Sequence, residues 1–187
     1  MPLRARDSRP ANSQRSTATG HLASDIGVKG IRPMGSKELL ALLDQAYDRR
    51  SWHGTNLKGS IRGLTPAQAA WRPKRGRHNI WEIAVHAAYW KYAVWRRLTG
   101  SKRGSFPLAG SNWFTRPEVM SVQGWRRDVL LLERMHRQLR EAVAAFPPAK
   151  LDARAPGSPF TFADLIRGAG AHDLYHAGQI QLLKRLR

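Results

Sequence analysis

The 187-residue chain has no cysteine. That absence removes disulfide frameworks, CxxC zinc sites, iron–sulfur clusters and a cysteine nucleophile together. It leaves the redox compartment open, because a chain without thiols is indifferent to it. Acidic residues are scarce: 13 Asp and Glu stand against 32 Lys and Arg, a formal charge of +19. Long apolar runs are missing too, and none approaches the roughly 18 residues of a membrane span. No segment alternates apolar and polar residues convincingly over five positions, so no sheet is expected. The length suits one domain, or one domain with a tail, and suffices to bury a core without a staple.

What is present is arginine. The basic residues divide into 24 Arg and 8 Lys. Such a balance invites a nucleic-acid or anionic-surface partner. A GC-rich coding sequence produces the same excess with no functional cause. Residues 1–35 carry six basic and two acidic residues, no aromatic and no sustained apolar period. They cannot bury enough surface to offset their ordering entropy, and they read as a disordered basic tail. A true start at Met34 is the other reading. No apolar signal region follows the arginines, so the expected location is cytoplasmic. Without this stretch, 26 basic residues still face 11 acidic ones.

From Ser36 onward the apolar period is helical. Leu39, Leu40, Leu42, Leu43, Ala46 and Tyr47 outline a helix from a Ser36 cap to about Arg50. Thr65-Pro66 opens a short helix that Pro73 ends. Asn79 and Glu82 form a capping-box start for a helix running to about Leu98, with Gly100 as its stop. A loop over 101–120 carries Phe106, Trp113 and Phe114. A third long helix runs from Ser121 to Phe146, and a fourth opens at Thr161 with Asp164 at N3. Four long helices predict an all-α four-helix bundle over residues 36–187, with long connecting loops. Loops of such length are commonly functional or carry crossovers.

The chemistry concentrates in histidines. His172 and His176 lie four apart, so both imidazoles leave one helix face a turn apart. That spacing suits two ligands of one divalent ion. Asp173 stands where a zinc protease needs Glu, so that class is not supported. Gln179 shares the face and reaches toward a bound ion or its water, and Tyr175 joins it as a binding candidate. His86, mid-helix among Ile83, Val85 and Ala87, is a third ligand candidate, with Tyr89 and Trp90 on its face. Three histidines with open positions would be a catalytic rather than a structural site. The competing reading for each is a hydrogen-bonded core histidine. Gly170, Ala177 and Gly178 read as small residues for close helix packing. His53, beside Trp52 and Gly54 in a loop, is a candidate acid–base residue at a pocket mouth, against an ordinary turn histidine. His78 and His136 read as surface residues.

The stretch His78-Asn79-Ile80-Trp81-Glu82-Ile83-Ala84-Val85-His86-Ala87-Ala88-Tyr89-Trp90, together with His172-Asp173-Leu174-Tyr175-His176-Ala177-Gly178-Gln179-Ile180, resembles the DinB-like superfamily. Ser51-Trp52-His53-Gly54 and Gln68-Ala69-Ala70-Trp71-Arg72-Pro73 resemble one branch of it. The resemblance spans about residues 36–187. It implies a four-helix bundle that binds a divalent metal through three histidines, which fall on His86, His172 and His176. It leaves the reaction open: members include transferases that use low-molecular-weight thiols, a thiol-dependent isomerase and proteins with no assigned activity.

These readings converge on a metal-dependent hydrolase or thiol transferase, with zinc or nickel favoured by imidazole ligands and iron or manganese also compatible. A low-molecular-weight thiol would supply the sulfur the chain lacks. Arg72, Lys74, Arg75 and Arg77 would draw an anionic small-molecule substrate toward the pocket mouth. The arginines at 126, 127, 134, 137 and 140 read as a solvated helix face. The alternative is a basic nucleic-acid-binding or interaction protein with a structural metal, although no helix-turn-helix or RNA-binding motif is present. Seven tryptophans are many for one core, which points to a homodimer interface.

Overall fold

The computed structural model describes residues 34–187, and within them the regular structure is helical throughout. The tail expected over 1–35 lies, up to residue 33, outside the described residues. The described residues form one compact unit. Among the described residues there are six α-helices: α1 (Ser36–Tyr47), α2 (Leu57–Ile61), α3 (Pro66–Ala70), α4 (Ile80–Thr99), α5 (Val122–Ala145) and α6 (Phe162–Leu186). A 3-10 turn, Pro148–Lys150, precedes α6.

The four long helices form the expected bundle. Each of α4 and α1 packs against both α5 and α6, so α4 and α1 lie across one diagonal. The short α2 was not anticipated; its five residues lack a full amphipathic period, and Asn56 caps it through Gly59 N–H. Local signals set the other starts. Thr65 with Gln68, Asn79 with Glu82 and Thr161 with Asp164 each close a reciprocal capping box. Each box satisfies two amide donors that the helix leaves free. Gly100 adopts φ 70° and ends α4 in the left-handed conformation that a side chain resists.

Two expectations at α1 need correction. Gly35, not Ser36, occupies the cap position and makes no side-chain cap bond, and the helix ends at Tyr47 rather than near Arg50. Polar Asp48, Arg49 and Arg50 offer the core nothing, so packing does not extend the helix there.

The apolar interior falls into two clusters. One gathers Trp81, Val85, Ala88, Trp125, Leu132 and Ile180; the other gathers Leu39, Leu43, Val94, Leu139, Val143 and Ile166. Gly170 on α6 is packed as its size predicted: a Cβ there would meet Leu42 Cγ at 3.1 Å. Gly178 has open space instead, so close packing does not account for it. No helix among the described residues is long and apolar enough to cross a membrane.

Candidate metal centre

Helices α4 and α6 bring His86, His172 and His176 together, with a ligand atom of each within 4.8 Å of the others. His172 Nε2 lies 3.1 Å from His86 Nε2 and 3.0 Å from His176 Nε2. His86 and His176 are buried, and His172 is half-buried. The i, i+4 spacing on α6 places its two rings a turn apart, and the adjacent helix α4 supplies the third.

The outer hydrogen bonds set the proton positions. His86 Nδ1 meets the Asn112 carbonyl at 2.9 Å, and a carbonyl only accepts, so Nδ1 carries the proton. His176 Nδ1 donates to Gln179 Oε1 at 2.7 Å, while Gln179 Nε2 donates to Tyr175 Oη at 2.9 Å. Both neutral rings therefore turn an Nε2 lone pair toward His172 Nε2. A proton on His172 can satisfy only one of them. A cation satisfies all three, and nitrogens about 3.3 Å apart are what a tetrahedral ion with bonds near 2.0–2.1 Å requires. The residues fit a metal.

Electrostatics agree. Burial holds His172 down to about 3, and His176 and His86 push in the same direction. Burial brings His176 to about 4, outweighing its bond to Gln179. Burial also lowers His86, against the pull of Asn112. All three imidazoles are neutral at physiological pH, the state a ligand needs.

The long loop completes the site. Asn112 has φ 64°, the left-handed region that Asn tolerates better than most residues. In that pose its carbonyl holds His86 and its side-chain oxygen accepts from Trp90 Nε1 at 2.9 Å. Trp113 lies between two imidazoles, stacked on His86 at 3.8 Å and on His78 at 3.6 Å. His78 in turn reaches Glu82 Oε2 at 3.0 Å. Glu82 does more than cap α4. It also accepts from Arg72 and from Arg116 N–H, and these partners hold its carboxyl below the usual range despite burial.

A cavity of about 840 Å³ opens beside the triad. Trp90, Trp113, Tyr175, Leu182 and Leu186 give it apolar walls, and Lys74 and Arg77 add positive charge. Of the expected basic group, Arg72 turns inward to Glu82 instead. Gln179 and Tyr175 line the cavity, with Gln179 bonded to the far nitrogen of His176. His53 is exposed and is not among the residues lining this cavity. His78, read from the sequence as a surface residue, is exposed but lines the cavity. His136, read the same way, is buried at 4% exposure. Its arginine neighbours are exposed while its own position on α5 faces the core. Asn112 and Trp113 escaped sequence reasoning, although the length and aromatic content of their loop pointed to it. Arg126, Arg127, Arg134 and Arg137 are exposed as expected and line a separate groove, whereas Arg140 is half-buried and donates to Asp44 of α1.

A family model described as DinB superfamily matches residues 49–180, a span that includes all three histidines, Asn112 and Gln179. No curated protein and no solved structure matches the chain.

Proposed function

The chain belongs to the DinB superfamily, and we propose that it is a metal-dependent enzyme whose His86, His172 and His176 hold a divalent transition ion, zinc or nickel by preference. The observation that carries this reading is the convergence of three Nε2 atoms whose outer partners leave at most one proton among them. Held by the three imidazoles, such an ion would supply Lewis-acid chemistry, lowering the pKa of a water or thiol toward neutrality so that it could act as a nucleophile.

The protein's own residues do the rest. Asn112 and Gln179 orient two of the ligand rings and keep their Nδ1 protons in place, which leaves each Nε2 free. Trp90, Trp113 and the leucines of α6 wall the cavity with apolar surface and reduce the water around the reacting groups. Lys74 and Arg77 draw in and orient an anionic small molecule. A low-molecular-weight thiol and a hydrolytic water are the two nucleophiles this arrangement supports.

Metal analysis by plasma mass spectrometry on tag-free protein tests the proposal. About one equivalent of a transition metal is expected in the wild type, as a single three-histidine site requires. His86→Ala and His172→Ala should both lose it. No metal after reconstitution, or unchanged stoichiometry in either variant, would overturn the reading.

A further inference from the structure

Four ionisable or polar side chains meet inside the bundle, one from each long helix: Tyr47 of α1, Lys91 of α4, His136 of α5 and Asp173 of α6. Their exposures are 2%, 1%, 4% and 0%. Lys91 Nζ donates to Asp173 Oδ2. It also lies 3.5 Å from His136 Nδ1 and 4.9 Å from the centre of the Tyr47 ring. The Tyr47 and His136 rings stack at 3.8 Å.

This layer sits where the apolar core divides. On α4, Tyr92 belongs to one cluster and Val94 to the other, just beyond Lys91. On α5 the flanking residues are Met135 and Leu139, and on α6 they are Ile180 and Ala169. On α5 and α6 the polar residue falls between them, and on α4 it lies beside the boundary.

A buried ion pair is a poor source of stability. Removing both charges from water costs about what their attraction returns, and a packed apolar pair of similar size is often as stable. What the pair enforces is register. Rotating either helix by one residue, about 100°, would separate Lys91 from Asp173 and leave both buried side chains without their hydrogen-bond partner. The same displacement would part His86 from His172. On α4 His86 precedes Lys91 by five residues, and on α6 His172 directly precedes Asp173.

We propose that the Lys91–Asp173 pair, braced by His136 and Tyr47, is a positioning clamp. It sets the register of the two ligand-bearing helices and thereby keeps the three Nε2 atoms together. The inference rests on the reading of the triad as a metal centre.

Zn(II) affinity, measured by competition with a chromophoric chelator, tests it alongside thermal melts. Replacing Lys91→Met and Asp173→Leu together keeps side-chain volume and removes both the charges and the contact. The melting temperature should hold or rise, while Zn(II) affinity falls on the order of 10–100-fold, the loss typical when outer support of metal ligands is removed. Replacing Lys91→Gln and Asp173→Asn together keeps a hydrogen bond between the same positions without charge, and it should retain wild-type affinity. Wild-type affinity in K91M/D173L refutes the clamp. So does an equal loss in K91Q/D173N, because charge rather than contact would then be acting. Failure of K91M/D173L to fold also refutes it, because the pair would then be carrying stability. A wild type that binds no Zn(II) overturns the metal reading and the clamp with it. In the other refuting outcomes the wild type still binds and the clamp alone falls.

Discussion

Replacing Gln179 with leucine tests whether the outer hydrogen bonds of the triad govern metal affinity. In the wild type, His176 Nδ1–H donates to Gln179 Oε1 at 2.7 Å, and the ring is 2% exposed. Leucine fills a similar volume but accepts nothing. Two consequences follow. The buried Nδ1–H loses its partner, which costs about 1–3 kcal/mol of stability. The ring is also freed to rotate or to move its proton to Nε2, which removes the lone pair that faces the ion. Loss of such an outer partner lowers metal affinity about 10–100-fold, or roughly 1.4–2.8 kcal/mol of binding free energy. Gln179→Glu should behave oppositely, because a carboxylate accepts the same proton more strongly and should hold affinity at or above the wild-type level. Competition titration with Zn(II) measures the affinity, and urea melts of the metal-free forms measure stability. A folded Gln179→Leu variant with wild-type affinity would refute the reasoning, because the His176 ring would then be held by packing alone.

Two further outcomes follow from burial. His136 is held down to about 2 by burial, with Lys91 acting in the same sense. An unfolded histidine titrates near 6.5, so below that pH the unfolded chain takes up a proton that the native chain refuses. Stability should therefore fall as pH drops through 6.5 toward 2, by about 2 kcal/mol between pH 7 and pH 5 from His136 alone. His172 and His176 add to the same slope in metal-free protein. Urea midpoints at pH 7 and pH 5 measure it, and a flat profile would contradict the burial. Separately, Trp81 Nε1 of α4 donates to buried Asp128 Oδ2 of α5 at 2.7 Å. Trp81→Phe should cost about 1.5–3 kcal/mol, the range for a hydrogen bond to a charged group. Its metal content should not change, as melts and metal analysis together would show.

The helices were legible because their signals are local. A capping box needs only a side chain and an amide three residues away, so Thr65, Asn79 and Thr161 announced their helices without reference to the rest of the chain. Where no cap residue stood, at Ser36, the start was misplaced by one position. The His172–His176 pair was equally plain, since the helical repeat alone puts both rings on one face. The role of His86 needed more. A mid-helix histidine among apolar residues is compatible with a core hydrogen bond or with ligation, and the family resemblance made the choice.

The sequence by itself determined an all-helical chain, the positions of its long helices and the one-turn spacing of two ligand histidines, all through interactions within about four residues. Tertiary structure decided which side chains meet. It placed His86 3.1 Å from His172, set Asn112 in a left-handed turn against both His86 and Trp90, and slid Trp113 between two imidazoles. It buried His136 with Lys91 and Asp173, although its neighbours in sequence are arginines. Such contacts join residues 22 to 86 positions apart. They depend on how four helices share one interior and on how a loop folds over them, and no local periodicity encodes either.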